Sequence, residues 1–382
     1  MRVSKTISRL NKVRKSLEAF TPAEPAVERL SDLTGLTDNP GNLRGRFYVP
    51  EGLEGGAALV VVLHGCTQNA AVYDHGSGWS RLADRHGFAL LFPEQQRSNN
   101  ANLCFNWFDR GDTARGQGEA ASIRDMIAVM GAAHAIDESR IFITGLSAGG
   151  AMASVMLASY PELFAGGAII AGLPYGCAAS VSQAFGCMGG RDKTSRAELG
   201  ARVRAASAHQ GPWPRISIWQ GGADQTVVPS NAEAIVQQWA EVHGLPAEPS
   251  ATDTVDGYPR RVWRGADGAE LIEEYVIGGM AHGAPLAPGS DPGQSGKAGA
   301  HMLDVGLSST DRIAAFWGIA PPAAAAKPRK AAAKAKQAAG QEPAAKRAAP
   351  RRPARRPKLL PTPVSDVQKI IEDALRAAGL MR

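Results

Sequence analysis

The run Arg140-Ile141-Phe142-Ile143-Thr144-Gly145-Leu146-Ser147-Ala148-Gly149-Gly150-Ala151-Met152-Ala153-Ser154-Val155-Met156-Leu157-Ala158 decides the fold. After Arg140, its first residues Ile141 to Thr144 are aromatic or β-branched and predict a buried strand. From Ala151 to Ala158 the residues are strong helix formers. Between them stands Gly-x-Ser-x-Gly, centred on Ser147. A serine on a tight strand-to-helix turn sits in a strained backbone conformation, and flanking side chains would collide there. Gly145, Gly149 and the small Ala148 remove those collisions. The helix that begins at this point directs free N–H groups and the positive end of its dipole at the serine. The segment reads as a nucleophile elbow, against the alternative of a glycine-rich turn with an ordinary serine.

On both sides of the elbow the pattern repeats. Ala57 to Gly65 is a continuous apolar run, Phe88 to Pro93 another, and Phe164 to Gly172 a third. Such runs mark strands buried on both faces of a parallel sheet. Arg215 to Gly221 and Leu271 to Ile277 complete the set, the latter read as the last strand. Helices are predicted at Trp79 to Gly87, Glu119 to Ala133, Asn231 to Val242 and Asp311 to Trp317. Asn42 to Pro50 reads as an edge strand ended by proline, residues 21–45 as a linker or covering arm, and residues 173–195 as irregular. The fold class is α/β: a mostly parallel central sheet with helices on both faces. In such sheets, ligands bind beyond the carboxyl ends of the strands.

A serine nucleophile needs a base, and the base an orienting acid. Asp224 follows the strand that ends at Gln220, and His282 follows the strand that ends at Ile277; both stand on glycine-containing loops. They are the expected acid and base, with His301 as rival base and Asp192, Asp253 and Asp256 as rival acids. The oxyanion hole is expected from the backbone N–H of Ala148 and of Cys66, with Thr67 as runner-up to Cys66. His64 is read as bracing this loop. Trp107 is a candidate for holding an acyl or aryl group, against a reading as plain core packing. No metal and no organic cofactor is expected.

Composition bounds the rest. The chain has 382 residues, 44% hydrophobic and 20% charged, enough to bury a large core. The formal net charge of +6 hides an asymmetry. Between Pro321 and Lys358 stand twelve Lys or Arg against one acid, Glu342, while the remainder has 30 basic and 35 acidic side chains. Residues 320–358, rich in Ala, Lys, Pro and Arg, are expected to be a disordered basic tail. Residues 359–382 are expected to form a C-terminal amphipathic helix, and residues 1–40 an N-terminal amphipathic helix and linker, leaving 41–319 as the catalytic domain. No apolar run reaches the ~18 residues of a membrane span. The four cysteines, Cys66, Cys104, Cys177 and Cys187, lack zinc-ligand spacing, and reduced thiols in a cytoplasmic protein are the expectation, because no apolar stretch of a secretory signal follows the N-terminal charges.

Four motifs in order now carry a resemblance: Leu63-His64-Gly65-Cys66-Thr67-Gln68-Asn69, Cys104-Phe105-Asn106-Trp107-Phe108, Gly145 to Gly150, and Gly222-Ala223-Asp224-Gln225-Thr226-Val227-Val228-Pro229. Over about residues 40–318 the chain resembles the poly(3-hydroxybutyrate) depolymerase-type esterases, which are similar to feruloyl and acetylxylan esterases. The resemblance implies an α/β-hydrolase that cleaves carboxylic esters through Ser147, Asp224 and His282, and a disulfide between Cys66 and Cys104. Many members of that family have His where Gln220 stands, and many are secreted. The implied substrate is a short hydroxyalkanoate ester or oligomer, with a feruloyl or acetyl ester as alternative. A different class of function, binding of a polyanion or granule surface through residues 321–358, is the second alternative.

Overall fold

The computed structural model describes residues 28–322. The expected N-terminal helix and C-terminal helix, and all but the first residues of the basic tail, lie outside them. Twelve strands run in chain order: β1 Ser31–Asp32, β2 Arg44–Tyr48, β3 Ala57–Leu63, β4 Ala89–Glu94, β5 Ile136–Leu146, β6 Gly166–Ile170, β7 Arg215–Gly221, β8 Ala251–Val255, β9 Tyr258–Arg264, β10 Glu270–Ile277, β11 Ala284–Leu286 and β12 Met302–Asp304. The helices are α1 Ala70–Ser77, α2 Trp79–His86, α3 Arg110–Thr113, α4 Gly118–His134, α5 Ala148–Ser159, α6 Val181–Met188, α7 Arg196–Arg204, α8 Ser230–Val242 and α9 Ser309–Phe316.

Ten strands form one sheet in the order β1-β2-β4-β3-β5-β6-β7-β10-β9-β8. From β4 to β10 all neighbours are parallel. The strands beyond them at each end are antiparallel. The reason is in β3, where every residue is buried. Leu59, Val61 and Leu63 enter the core on one face, with Met126 of α4, Met156 of α5 and Trp239 of α8. Ala58, Val60 and Val62 enter the core on the other, with Trp79 of α2 and Ile313 of α9. An all-apolar strand can satisfy both faces only between two layers of helices. Each such Val or Leu contributes roughly 1.5–3 kcal/mol of burial.

Three readings of the sequence need correction, and one helix was not read from it. The strand β2 is not the sheet edge, because β1 from the preceding arm pairs with it. Residues 173–195 are not all irregular: Ser180 caps α6, its side chain accepting from the Gln183 N–H. Helix α7, closed by a Ser195–Glu198 capping box, was not expected. Finally, β10 is not the last strand: β11 and β12 follow it, and the β8–β9 hairpin lies beside it in the sheet.

Candidate active site

Ser147 occupies the turn between β5 and α5 with φ 57° and ψ −117°. For a non-glycine residue this is sparsely populated backbone, and the surroundings hold it there. A Cβ on Gly145 would lie 2.3 Å from the Gly149 carbonyl oxygen, and one on Gly149 would lie 2.4 Å from that of Leu63. The glycines therefore let α5 start hard against the end of β3. The Ser147 N–H is tied to the Ile170 carbonyl at 2.9 Å.

Strand register brings the partners to the same place. Gly221, the last residue of β7, pairs with Ile277, the last of β10, so the Asp224 and His282 loops leave the sheet side by side. They are stitched together by the Gly222 N–H on Ile277 O and the Ala223 N–H on Met280 O, each 2.9 Å. A Cβ on Gly221 would meet Ala281 O at 2.4 Å, so the loops could not close this far on any other residue. The result is a continuous chain of contacts. Ser147 Oγ lies 2.9 Å from His282 Nε2, and His282 Nδ1 lies 2.7 Å from Asp224 Oδ2. Asp224 is buried, and its Oδ1 accepts from the N–H groups of Thr226 at 2.8 Å and Val227 at 3.0 Å. A buried carboxylate so saturated with donors is held in one orientation.

The rivals stand elsewhere. His301 packs against the other side of His282, its Nδ1 3.2 Å from the His282 carbonyl and its ring centroid 5.8 Å away. Asp192 is bonded to Arg202 and Thr194, Asp253 to Arg260, and Asp256 to Arg312.

Leu63 pairs with Gly145 across β3 and β5, which puts the loop after β3 beside the serine. In that loop the Thr67 N–H is spent on Asn102 O at 2.7 Å and the Gly65 N–H on Gln68 Oε1 at 2.9 Å. Among the described residues, no acceptor takes the N–H of Cys66 or of Ala148. Thr67 thus drops out as runner-up. Cys66 is joined to Cys104 in a disulfide, with Cα atoms 4.3 Å apart. The expectation of reduced thiols fails for this pair, because the packed loops hold the two backbones within bonding reach; Cys177 and Cys187 are free thiols. His64 is buried, its Nδ1–H donating to Gly65 O at 2.8 Å while its Nε2 accepts from the Gln95 N–H at 3.1 Å. Burial pushes its pKa down, so it braces the loop as a neutral ring.

Two residues that the sequence reading did not single out complete the surroundings. Glu119 of α4 is fully buried, and its carboxyl receives Gln95 Nε2–H and the Asn106 N–H. It thereby fixes the Cys104–Trp107 segment. Gln95 also donates to Cys104 O at 3.0 Å. Trp107 is half-buried and packs on a small cluster of Ala151, Leu173, Cys187 and Val227. That cluster joins α5 to the Asp224 loop, so the ring stands next to the serine turn and also packs on the core.

The chain matches known proteins over this same region. A family described as Esterase PHB depolymerase matches residues 45–255. Poly(3-hydroxyalkanoate) depolymerase C of Paucimonas lemoignei is 47% identical over 323 residues, 83% of this chain and 78% of that protein. Acetylxylan esterase A of Emericella nidulans is 32% identical over 271 residues, 68% of this chain and 86% of that protein. Among solved structures, an acetyl xylan esterase from Aspergillus awamori superposes with a TM-score of 0.65 at 26% identity, covering 77% of this chain and all of that one.

Proposed function

Because this chain belongs to the PHB depolymerase esterase family and is a serine carboxylic-ester hydrolase of α/β-hydrolase fold, we propose that Ser147, His282 and Asp224 are its catalytic triad. The observation that carries the reading is the unbroken contact chain from Ser147 Oγ through His282 to Asp224, at 2.9 and 2.7 Å. Ser147 Oγ attacks the ester carbonyl while His282 Nε2 takes its proton. The oxygen that gains charge is received by the N–H groups of Cys66 and Ala148 at the start of α5. His282 returns the proton to the departing alcohol, leaving an acyl group on Ser147. Water, deprotonated by His282, then releases the acid. Asp224 keeps the Nδ1 proton in place and stabilises the imidazolium.

The substrate is a short 3-hydroxyalkanoate ester or oligomer, as the name of the Paucimonas lemoignei relative suggests. Trp107, on the cluster beside the serine turn, would hold the acyl body. Acetylated xylan is the second reading, favoured by the acetylxylan esterase relative and the superposed structure. Purified protein incubated in parallel with 3-hydroxybutyrate oligomers, feruloyl esters and acetylated xylan decides between them: release of 3-hydroxybutyrate at the highest kcat/KM supports the first, and faster acetate release overturns it.

The disulfide beside the oxyanion loop fits an oxidising compartment better than the cytoplasm. Residues 41–319 are the proposed catalytic unit, and the basic segment 321–358 a proposed anchor to a polyanionic surface. Loss of low-salt retention on heparin after truncation at Ile319 supports the anchor; unchanged retention overturns it.

A further inference from the structure

A cavity of about 440 Å³ lies at the other end of the sheet from Ser147. Arg215, at the start of β7, pairs with Gly166, and Gly166 with Phe142, five residues before Ser147. The separation along the strand direction is therefore roughly 16 Å. The cavity is walled by Arg215, Tyr275, Phe316, Val255 and Ala315.

Two polar groups in it have no partner. The Arg215 guanidinium makes no hydrogen bond or ion pair among the described residues, and its Nε is buried and unsatisfied. Its Cζ sits 4.0 Å from the centroid of the Phe316 ring. Tyr275 is only 3% exposed, stacked on Trp219 with centroids 3.9 Å apart, and its hydroxyl finds no partner among the described residues. The nearby carboxylates are already engaged. Glu273 accepts from Ser217 Oγ at 2.7 Å and Arg260 Nε at 2.8 Å, while Glu270 is held by Arg260 and Arg264.

Arg215 is half-buried, its Nε out of reach of water, and the nearest carboxylates, Glu273 and Glu270, are both already bonded to Arg260, so the rest of its N–H edge is open to a ligand that brings its own negative charge. Its planar fork fits a carboxylate through two parallel N–H bonds. With one face on Phe316, its free N–H edge is what remains for an anion. Arg215, Arg260 and Arg312 against Glu270 and Glu273 leave the lining one charge positive, which favours a monoanion over a doubly charged ligand, and the rings and Val255 favour a carbon body. Tyr275 can donate to or accept from a hydroxyl. We propose that this cavity binds a small hydroxycarboxylate monoanion, with its carboxylate on Arg215 and its hydroxyl on Tyr275. The site stands on its own residues; only the choice of 3-hydroxybutyrate as probe rests on the proposed substrate.

The test is calorimetric titration of sodium 3-hydroxybutyrate and of sodium butyrate into the full-length protein, with Ser147 phosphonylated to block the first site. One site is expected for 3-hydroxybutyrate, weakened by about tenfold or more in Arg215→Gln, as loss of a charge-assisted pair implies. Tyr275→Phe should remove the preference for 3-hydroxybutyrate over butyrate. Both variants should retain soluble-ester turnover, which shows that they fold. No heat of binding, binding unchanged in Arg215→Gln, or a preference unchanged in Tyr275→Phe overturns the proposal. If Arg215→Gln does not fold, the Tyr275→Phe preference decides alone. Failure of Ser147 to react sinks the hydrolase reading and not this one; the titration is then run on untreated protein with the same variants.

Discussion

Gln220 Nε2 donates to Asp224 Oδ2 at 3.2 Å, on the same carboxylate oxygen that receives His282 Nδ1 at 2.7 Å. The same amide donates to Val227 O at 2.9 Å. One buried side chain thus ties the end of β7 to the far side of the Asp224 loop and sets the angle from which the carboxylate meets the histidine.

Gln220→Leu keeps the volume and removes the donor. It should lower kcat by about tenfold with KM nearly unchanged, since a buried acceptor left short of a donor loses roughly 1–3 kcal/mol. Gln220→His, the residue common in the family at this position, should keep most of the activity. Steady-state rates on p-nitrophenyl butyrate check both, and a fully active leucine variant would contradict the positioning role.

The Cys66–Cys104 bond closes a loop of sequence separation 38 and anchors Cys66, one of the two proposed oxyanion donors. The double change Cys66→Ala with Cys104→Ala should lower stability by roughly 2–4 kcal/mol. It should also reduce kcat by up to about 10²-fold, the scale of one misplaced oxyanion donor. Denaturant melts and turnover, with and without a reductant, measure the two effects. Unchanged turnover would show that the loop holds Cys66 without the bond.

The parallel part of the sheet was legible because β3, β4 and the second half of β5 hold continuous apolar runs and the turns carry glycine. The β8–β9 hairpin was not. Its strand β9 reads Tyr-Pro-Arg-Arg-Val-Trp-Arg, which has neither clean alternation nor a continuous apolar run. It is held instead by pairs distant in sequence: Arg260 to Glu273, and Arg261 to Glu274 and Glu233. Such pairing appears only when the strands are side by side. Ser147, Asp224 and His282 could be placed from strand ends alone. Glu119 carries a signal in its position, since it lies one turn before Ile123 on the buried stripe of α4, where an acid needs partners. Nothing in the local sequence names Gln95 and Asn106 as those partners.

Burial raises the Glu119 pKa from 4.5 to about 8, with the Asp112 carboxylate pushing the same way. The folded state then prefers the proton more than the unfolded chain does. The native state is most favoured below about 4.5 and loses stability as pH climbs through about 8, by on the order of a few kcal/mol. Glu119→Gln should start less stable, because one N–H loses its acceptor, and should show a flatter dependence of Tm on pH between 5 and 8. Parallel slopes for the two proteins would rule out Glu119 as the titrating group.

His301 Nδ1 meets the backbone carbonyl of His282, and no hydrogen bond joins the two imidazole rings among the described residues. His301→Ala should therefore cost no more than about tenfold in kcat, whereas His282→Ala should cost on the order of 10⁴ or more. The reversed order, read from rates on a soluble ester, would move the base to His301.

The most direct measurement is peptide mapping after reaction with a fluorophosphonate, run beside turnover by Ser147→Ala. The geometry predicts one modified peptide, with the label on Ser147, and a folded alanine variant whose rate falls by on the order of 10⁴–10⁶. A label on any other serine, or an alanine variant that retains more than a few per cent of wild-type turnover, would contradict it.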